Sequence, residues 1–303
     1  MRPFILLLVV GLAARANAQS AAAPAPAEFD ALLTRVVNAA KEYENGFRNL
    51  VAEETKLEEI LDQSGTVKKQ REVVSDLLVY RSSRNAEQTA EYRDVRAVDG
   101  KAVEARSQRV LDLLSKASKS SSSRNELETI VRESRRYNLR YTVNGFTIGQ
   151  PGLFLEKRGE FDVEWAGRDH VSGHEVVVID YRDKTVSRVF DKAFSRNGAT
   201  STLMRGRLWV DEATAQLRRD RWEVLGNVPG RHDPVLLIGR ESTYTESRYG
   251  ILVPERIVYE FHERGKAVRN QAPPFFTIER TTCTYGAFRK FDVATQEAIG
   301  TPK

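Results

Sequence analysis

The chain of 303 residues is poor in most of the side chains that carry chemistry. A single cysteine, Cys283, excludes an internal disulfide, and four histidines with no second thiol leave no basis for a structural zinc site. No G-x-S-x-G elbow, G-x-G-x-x-G fingerprint or G-x-x-x-x-G-K-[ST] loop occurs, so the usual nucleophile and phosphate-cradling signatures are missing. An excess of one charge is missing too: 47 basic residues stand against 42 acidic ones. That balance speaks against a nucleic-acid partner. Long apolar runs are confined to the first residues, and at 41% hydrophobic composition the chain has enough apolar mass for a core.

Export is the clearest positive signal. Arg2, the apolar run from Phe4 to Ala14 and the small-x-small triplet Ala16-Asn17-Ala18 are the three parts of a secretory signal. The run is too short for a spanning helix, which takes about 20 apolar residues. Residues 1–18 are thus expected to be removed, leaving 45 basic and 42 acidic residues, a soluble periplasmic or extracellular product, and no membrane span. In that oxidising setting a lone thiol is expected to be buried, and Cys283 lies in a strand-like run.

Residues 19–27 are read as a disordered leader, since AAAPAPA has no period and two prolines. The remainder, 28–300, is expected to be one α+β domain, with helices and strands in 28–140 and antiparallel sheet in 141–292. Phe29, Leu32, Leu33, Val36, Val37, Ala40, Tyr43 and Phe47 recur at intervals of three and four, which predicts a helix ending near Asn45-Gly46. Strands are predicted at 47–61, 71–80 and 92–98, with Asp99-Gly100 as a two-residue hairpin turn. Two further helices are predicted, one carrying Val103, Val110, Leu111, Leu114 and Ala117, the other capped by Ser123 and Glu126. Beyond residue 140 short alternating segments predict strands at 154–165, 174–182, 185–190, 203–210, 216–225, 235–246, 251–262 and 275–285.

About eleven strands are more than a flat antiparallel sheet tolerates, so a strongly curved half-barrel partly enclosing a few helices is expected. Alternation puts Phe161, Val163 and Trp165, then Trp222 and Val224, then Ile257, Tyr259 and Phe261 on one aromatic and apolar face, with charged residues on the other. These eight are the candidate ligand-lining residues. Too few helices are available to cover them, which leaves either a core packed to completion or a groove for an apolar guest.

The alternatives for chemistry are thin. His170 and His174 flank a glycine-bearing turn and read as a hairpin, and His174-Glu175 begins an H-E-x-x-H pattern that fails at Val178. No metal, cofactor or catalytic residue is assigned. The basic run Arg132, Arg135, Arg136 and Arg140 and the stretch Arg205, Arg207, Arg218, Arg219 and Arg221 are read as solvated or locally neutralised.

Several runs resemble a family of uncharacterised exported bacterial proteins: Ser75 to Leu78, Tyr92 to Val95, Val98 to Lys101, Glu133-Ser134 to Tyr137-Asn138, Gly206 to Asp211 and Tyr285 to Phe291. That family implies no reaction. The second half also resembles the LolA-type fold of periplasmic lipoprotein carriers, which implies a curved sheet half enclosing helices and an acyl-binding cavity. The sequence therefore points to a non-enzymatic exported protein binding a lipid or acylated ligand. The competing readings are a packed module for an envelope protein partner and a hydrolase with dispersed carboxylates.

Overall fold

In the computed structural model the described residues are 23–46, 50–81, 89–103, 132, 135–140, 151–188, 197–250, 252–266 and 273–290. The signal, residues 19–22 of the leader, the first predicted middle helix beyond Val103 and, apart from 132 and 135–137, the second lie outside them.

Helix α1 spans Pro26–Gly46. Proline suits its first turn because the missing N–H is one no helix uses there. Ala25 precedes it, its carbonyl accepting from Phe29 N–H at 3.0 Å while the Glu28 carboxylate accepts the Ala25 N–H at 3.2 Å. The leader expected over 19–27 therefore ends two residues early, since Pro26 and Ala27 belong to the helix. The stripe read from the sequence is the buried one: Leu32, Leu33, Val36, Val37, Ala40 and Tyr43.

Among the described residues twelve antiparallel strands make one curved, open sheet. They are β1 (Leu50–Leu61), β2 (Val67–Arg81), β3 (Thr89–Val98), β4 (Lys101–Ala102), β5 (Phe161–Val171), β6 (His174–Asp183), β7 (Ser187–Arg188), β8 (Ser201–Asp211), β9 (Leu217–Asn227), β10 (Val235–Glu246), β11 (Leu252–Arg264) and β12 (Phe275–Lys290). The order is β4-β3-β2-β1-β12-β11-β10-β9-β8-β6-β5, with β7 beside β8. Two meanders are thus joined where β1 pairs with β12, the register running from Leu50 opposite Lys290 to Ile60 opposite Glu279. Bulges interrupt the register in several pairs, including β8–β9 between Trp209 and Val210 and β10–β9 between Leu236 and Ile238. Each adds local twist, which favours a curved sheet over a flat one.

Turns fall where their residues demanded them. Asp99 and Gly100 take φ of 50° and 73°, and Ser172 and Gly173 take 50° and 82°, the positive values that two-residue hairpins need. The second of these sets His174 opposite Val171 and His170 opposite Glu175, so the two histidines belong to a hairpin as read.

Two strand predictions need correction. Most of the strand expected from 154 is a 3₁₀ segment, Pro151–Glu160, and β5 begins only at Phe161. Gly152 lies so close to α1 that a Cβ there would stand 3.2 Å from Ala40 and Val36, and Leu155 is buried, so packing on the helix overrides local strand preference. The strand expected at 185–190 is described only as the two-residue β7.

The face of the sheet against α1, here the inner face, carries the main core. Leu33, Val36 and Val37 meet Phe161, Val177, Ile179, Leu208, Val210, Leu217 and Ile257 from five strands. Trp209 sits on the opposite, outer face with Val176 and Val178.

Candidate functional site

The register places all eight predicted lining residues on the inner face. Phe161, Ile257 and Tyr259 are fully buried in the main core; Val163, Trp165, Trp222 and Phe261 are half-buried against it. Val224 is half-buried beside Trp222 on the same face of β9. The eight do not share one environment. α1 covers the end of the sheet nearest Trp165, where Phe29 meets the Trp165 ring edge-on at 6.1 Å, and Tyr43 meets Tyr244 at 5.9 Å. Farther along β8 to β11 the pairing runs Met204, Val224, Ile238, Phe261 across four neighbouring strands. All four are apolar, and none is fully buried. This row lies between the main core and a smaller buried cluster of Ala199, Val228, Val235 and Leu237, with Trp222 beside it.

One row nearer α1, the pairing runs Tyr181, Gly206, Trp222, Arg240, Tyr259. Gly206 is required there because a Cβ would stand 2.4 Å from the Tyr181 ring and hydroxyl, so the tyrosine lies flat over the glycine. Arg240 and Asp220 are almost fully buried, 3.2 Å apart, and Tyr244 donates its hydroxyl to the second Asp220 oxygen at 2.7 Å. Burial raises the Asp220 carboxyl above its usual range despite Arg240, and pushes the Tyr259 phenol up to about 12. The Arg240 guanidinium stands over the Tyr259 ring at 5.7 Å.

The expectation of one apolar and one charged face is therefore incorrect. The inner face of β1, β3 and β12 carries buried charged side chains beside apolar ones such as Val73 and Leu77 of β2. Arg93 holds Glu54 through both carboxylate oxygens, at 2.6 and 3.0 Å, and Glu91 at 3.1 Å. Lys56 pairs with Glu58 at 3.0 Å and donates to the Asn138 side chain, while Glu58 accepts the Leu139 N–H at 2.9 Å. Segment 135–140 is thereby fastened over these strands, Arg71 adding a 3.0 Å bond to the Tyr137 carbonyl. Cys283 is buried as expected, and burial pushes its thiol up to about 12. The runs that carried the resemblance, Tyr92 to Val95, Tyr137-Asn138 and Tyr285, converge on this half of the sheet. Pairing alone could not have been read from sequence, but Glu54, Lys56 and Glu58 alternate with a period of two, a sign that charge occupies a single face.

On the outer face the arginines are neutralised. Arg205 and Arg221 meet Glu223 at 2.7 and 2.6 Å, Arg207 meets Asp180 at 2.6 Å, Arg218 meets Asp211 at 3.1 Å and Arg219 meets Glu241 at 2.8 Å. A depression of about 390 Å³ beside the Arg205, Arg207 and Arg221 pairs is lined by these three with Asp180, Arg182 and Glu223 among others. It is polar and unsuited to an apolar guest. Among the described residues no group of histidine, cysteine and carboxylates is placed to hold a metal ion, and no helix is long and apolar enough to cross a membrane.

The chain matches no protein-family model and no curated protein. Among solved structures it is similar to a DUF1329 family protein from Desulfovibrio piger, at 12% identity and a TM-score of 0.34 over 87% of this chain and 92% of that one. A LolA superfamily protein from Nitrosomonas europaea aligns at 12% identity and 0.32, covering 89% and 97%. A domain described as a putative outer membrane lipoprotein-sorting protein, from Vibrio parahaemolyticus, aligns at 10% and 0.33, covering 89% and 94%.

Proposed function

We propose that this chain is a non-catalytic binding protein of the cell envelope that holds an apolar or amphipathic guest, such as an acyl chain, along the Met204–Val224–Ile238–Phe261 row. The observation that carries this reading is the row itself: a contiguous apolar strip on the inner face, bordered by two packed cores and still half-buried. Side chains inside a finished core are close-packed, so a strip left short of burial is surface available to a guest. Each methylene moved from water onto it is worth about 0.8 kcal/mol before ordering costs. The export signal read in residues 1–18 supports the compartment.

The test is native mass spectrometry of the purified protein together with paired substitutions. Co-purifying lipid, or uptake of a fluorescent fatty acyl probe, is expected. Trp222→Ala should lower probe affinity by more than it lowers the melting temperature, because Trp222 is half-buried beside the strip. Tyr259→Ala should do the reverse, because Tyr259 is 7% exposed and belongs to the core. A bare apo mass with no probe uptake would contradict the reading and favour a packed interaction module.

A further inference from the structure

We infer that the guest is a neutral acyl ester, whose carbonyl oxygen is received by Arg240 and Tyr181 while its chain lies on the apolar row. This rests on the proposed function above and narrows the ligand class.

Two observations combine. The first is a pair of buried donors with nothing to donate to. Tyr181 is 2% exposed and Arg240 4%, yet the Tyr181 hydroxyl and the Arg240 Nε–H have no hydrogen-bond partner. They flank Trp222 from either side, Tyr181 reaching over Gly206 from β6 and Arg240 standing on β10. Buried donors are normally satisfied, so each orphan calls for a cause, and a bound acceptor is one that would serve both of these. The second is position: Gly206 and Trp222 are two residues from Met204 and Val224 on the same faces of their strands, and Arg240 is two from Ile238. A polar group at the donors would continue directly into a chain on the row.

Charge selects the acceptor. Arg240 is already balanced by Asp220, which also accepts from Tyr244. A carboxylate or phosphate entering beside them would leave one anion in excess in a site walled by Trp222, Tyr259 and Tyr181, and burying an unbalanced charge is more costly than burying a neutral acceptor. A carbonyl oxygen takes two hydrogen bonds and brings no charge. An ether brings an oxygen of weaker accepting power, and a free fatty acid brings the excess anion.

The experiment compares three probes of equal chain length with the intact exported protein: 1-monolauroylglycerol, its ether analogue 1-O-dodecylglycerol, and laurate. The ester is expected to bind roughly tenfold more tightly than the ether, the usual worth of satisfying a buried donor. Tyr181→Phe, which removes only the hydroxyl, and Arg240→Lys, which keeps the charge facing Asp220 but loses Nε, should each shrink the ester's advantage over the ether. Infrared spectra of carbonyl-labelled ester should show its stretch lowered on binding and restored toward the free value in Tyr181→Phe, a readout that a merely structural role would not move. Equal affinity for ester and ether, tighter binding of laurate than of ester, or an unshifted carbonyl would overturn the ester assignment while leaving the apolar site standing. Binding of none of the three would instead remove the proposed function on which it rests.

Discussion

Arg93 carries more of the fold than its single charge suggests. It is 5% exposed and grips Glu54, which is fully buried, through two hydrogen bonds while also meeting Glu91. Removing one partner of such a cluster strands the others, at a cost of about 3–5 kcal/mol. Arg93→Met should therefore lower the urea midpoint sharply, whereas Arg96→Met, at a half-exposed pair with Glu53, should cost less than about 1 kcal/mol. Gly206 is constrained by space alone: Gly206→Ala drives a methyl into the Tyr181 ring and should destabilise by about 1–3 kcal/mol. His262 supplies a pH signature. Burial holds its imidazole below the ordinary value of 6.5, so as pH falls through that value the unfolded chain takes up a proton that the folded chain refuses. Stability is present above this interval and lost below it. Melting temperatures of His262→Gln and the parent should thus converge as pH drops from 7.5 to 5, if the glutamine costs packing at neutral pH, and the parent should show the steeper slope.

Helix α1 was legible in the sequence because its stripe, from Leu32 to Tyr43, answers to a period no strand shares. Leu33→Ala, at a residue 4% exposed, should cost about 2–5 kcal/mol, read as a shift in thermal or urea unfolding. Strand ends were legible where turn chemistry was explicit, as at Asp99-Gly100 and Ser172-Gly173, and illegible where tertiary contact decides. The 3₁₀ segment Pro151–Glu160 is such a case, since only its packing on Val36 and Ala40 distinguishes it from the strand that follows. The candidate site was half legible. Alternation sorted Phe161, Trp222 and Tyr259 onto one face, but alternation also puts Arg240 and Asp220 there. Whether a charge on that face is exposed or buried depends on the strand beside it. Only the register that sets Arg240 between Trp222 and Tyr259 shows that it is part of the site.

Two meanders joined at the β1–β12 seam give the molecule an inner face of two characters. One half, β5 to β11, is mainly aromatic and apolar around the buried Arg240–Asp220 pair, and among the described residues α1 covers one end of it; the other, β1 to β3 with β12, holds buried ion pairs under segment 135–140. On the second half Arg93 with Glu54 and Glu91, and Lys56 with Glu58, form buried ion pairs, whereas the strip on the first half is apolar and half-buried. The central claim is that a guest occupies the strip from Met204 to Phe261. Photocrosslinking with a diazirine-bearing fatty acyl probe, followed by peptide mass spectrometry, tests it most directly. Adducts are predicted on peptides of β8 to β11 that contain Met204, Trp222, Val224, Ile238 or Phe261, and competition with unlabelled lipid should erase them. Adducts confined to the outer-face arginine and carboxylate pairs, or spread evenly over the chain without competition, would contradict the account.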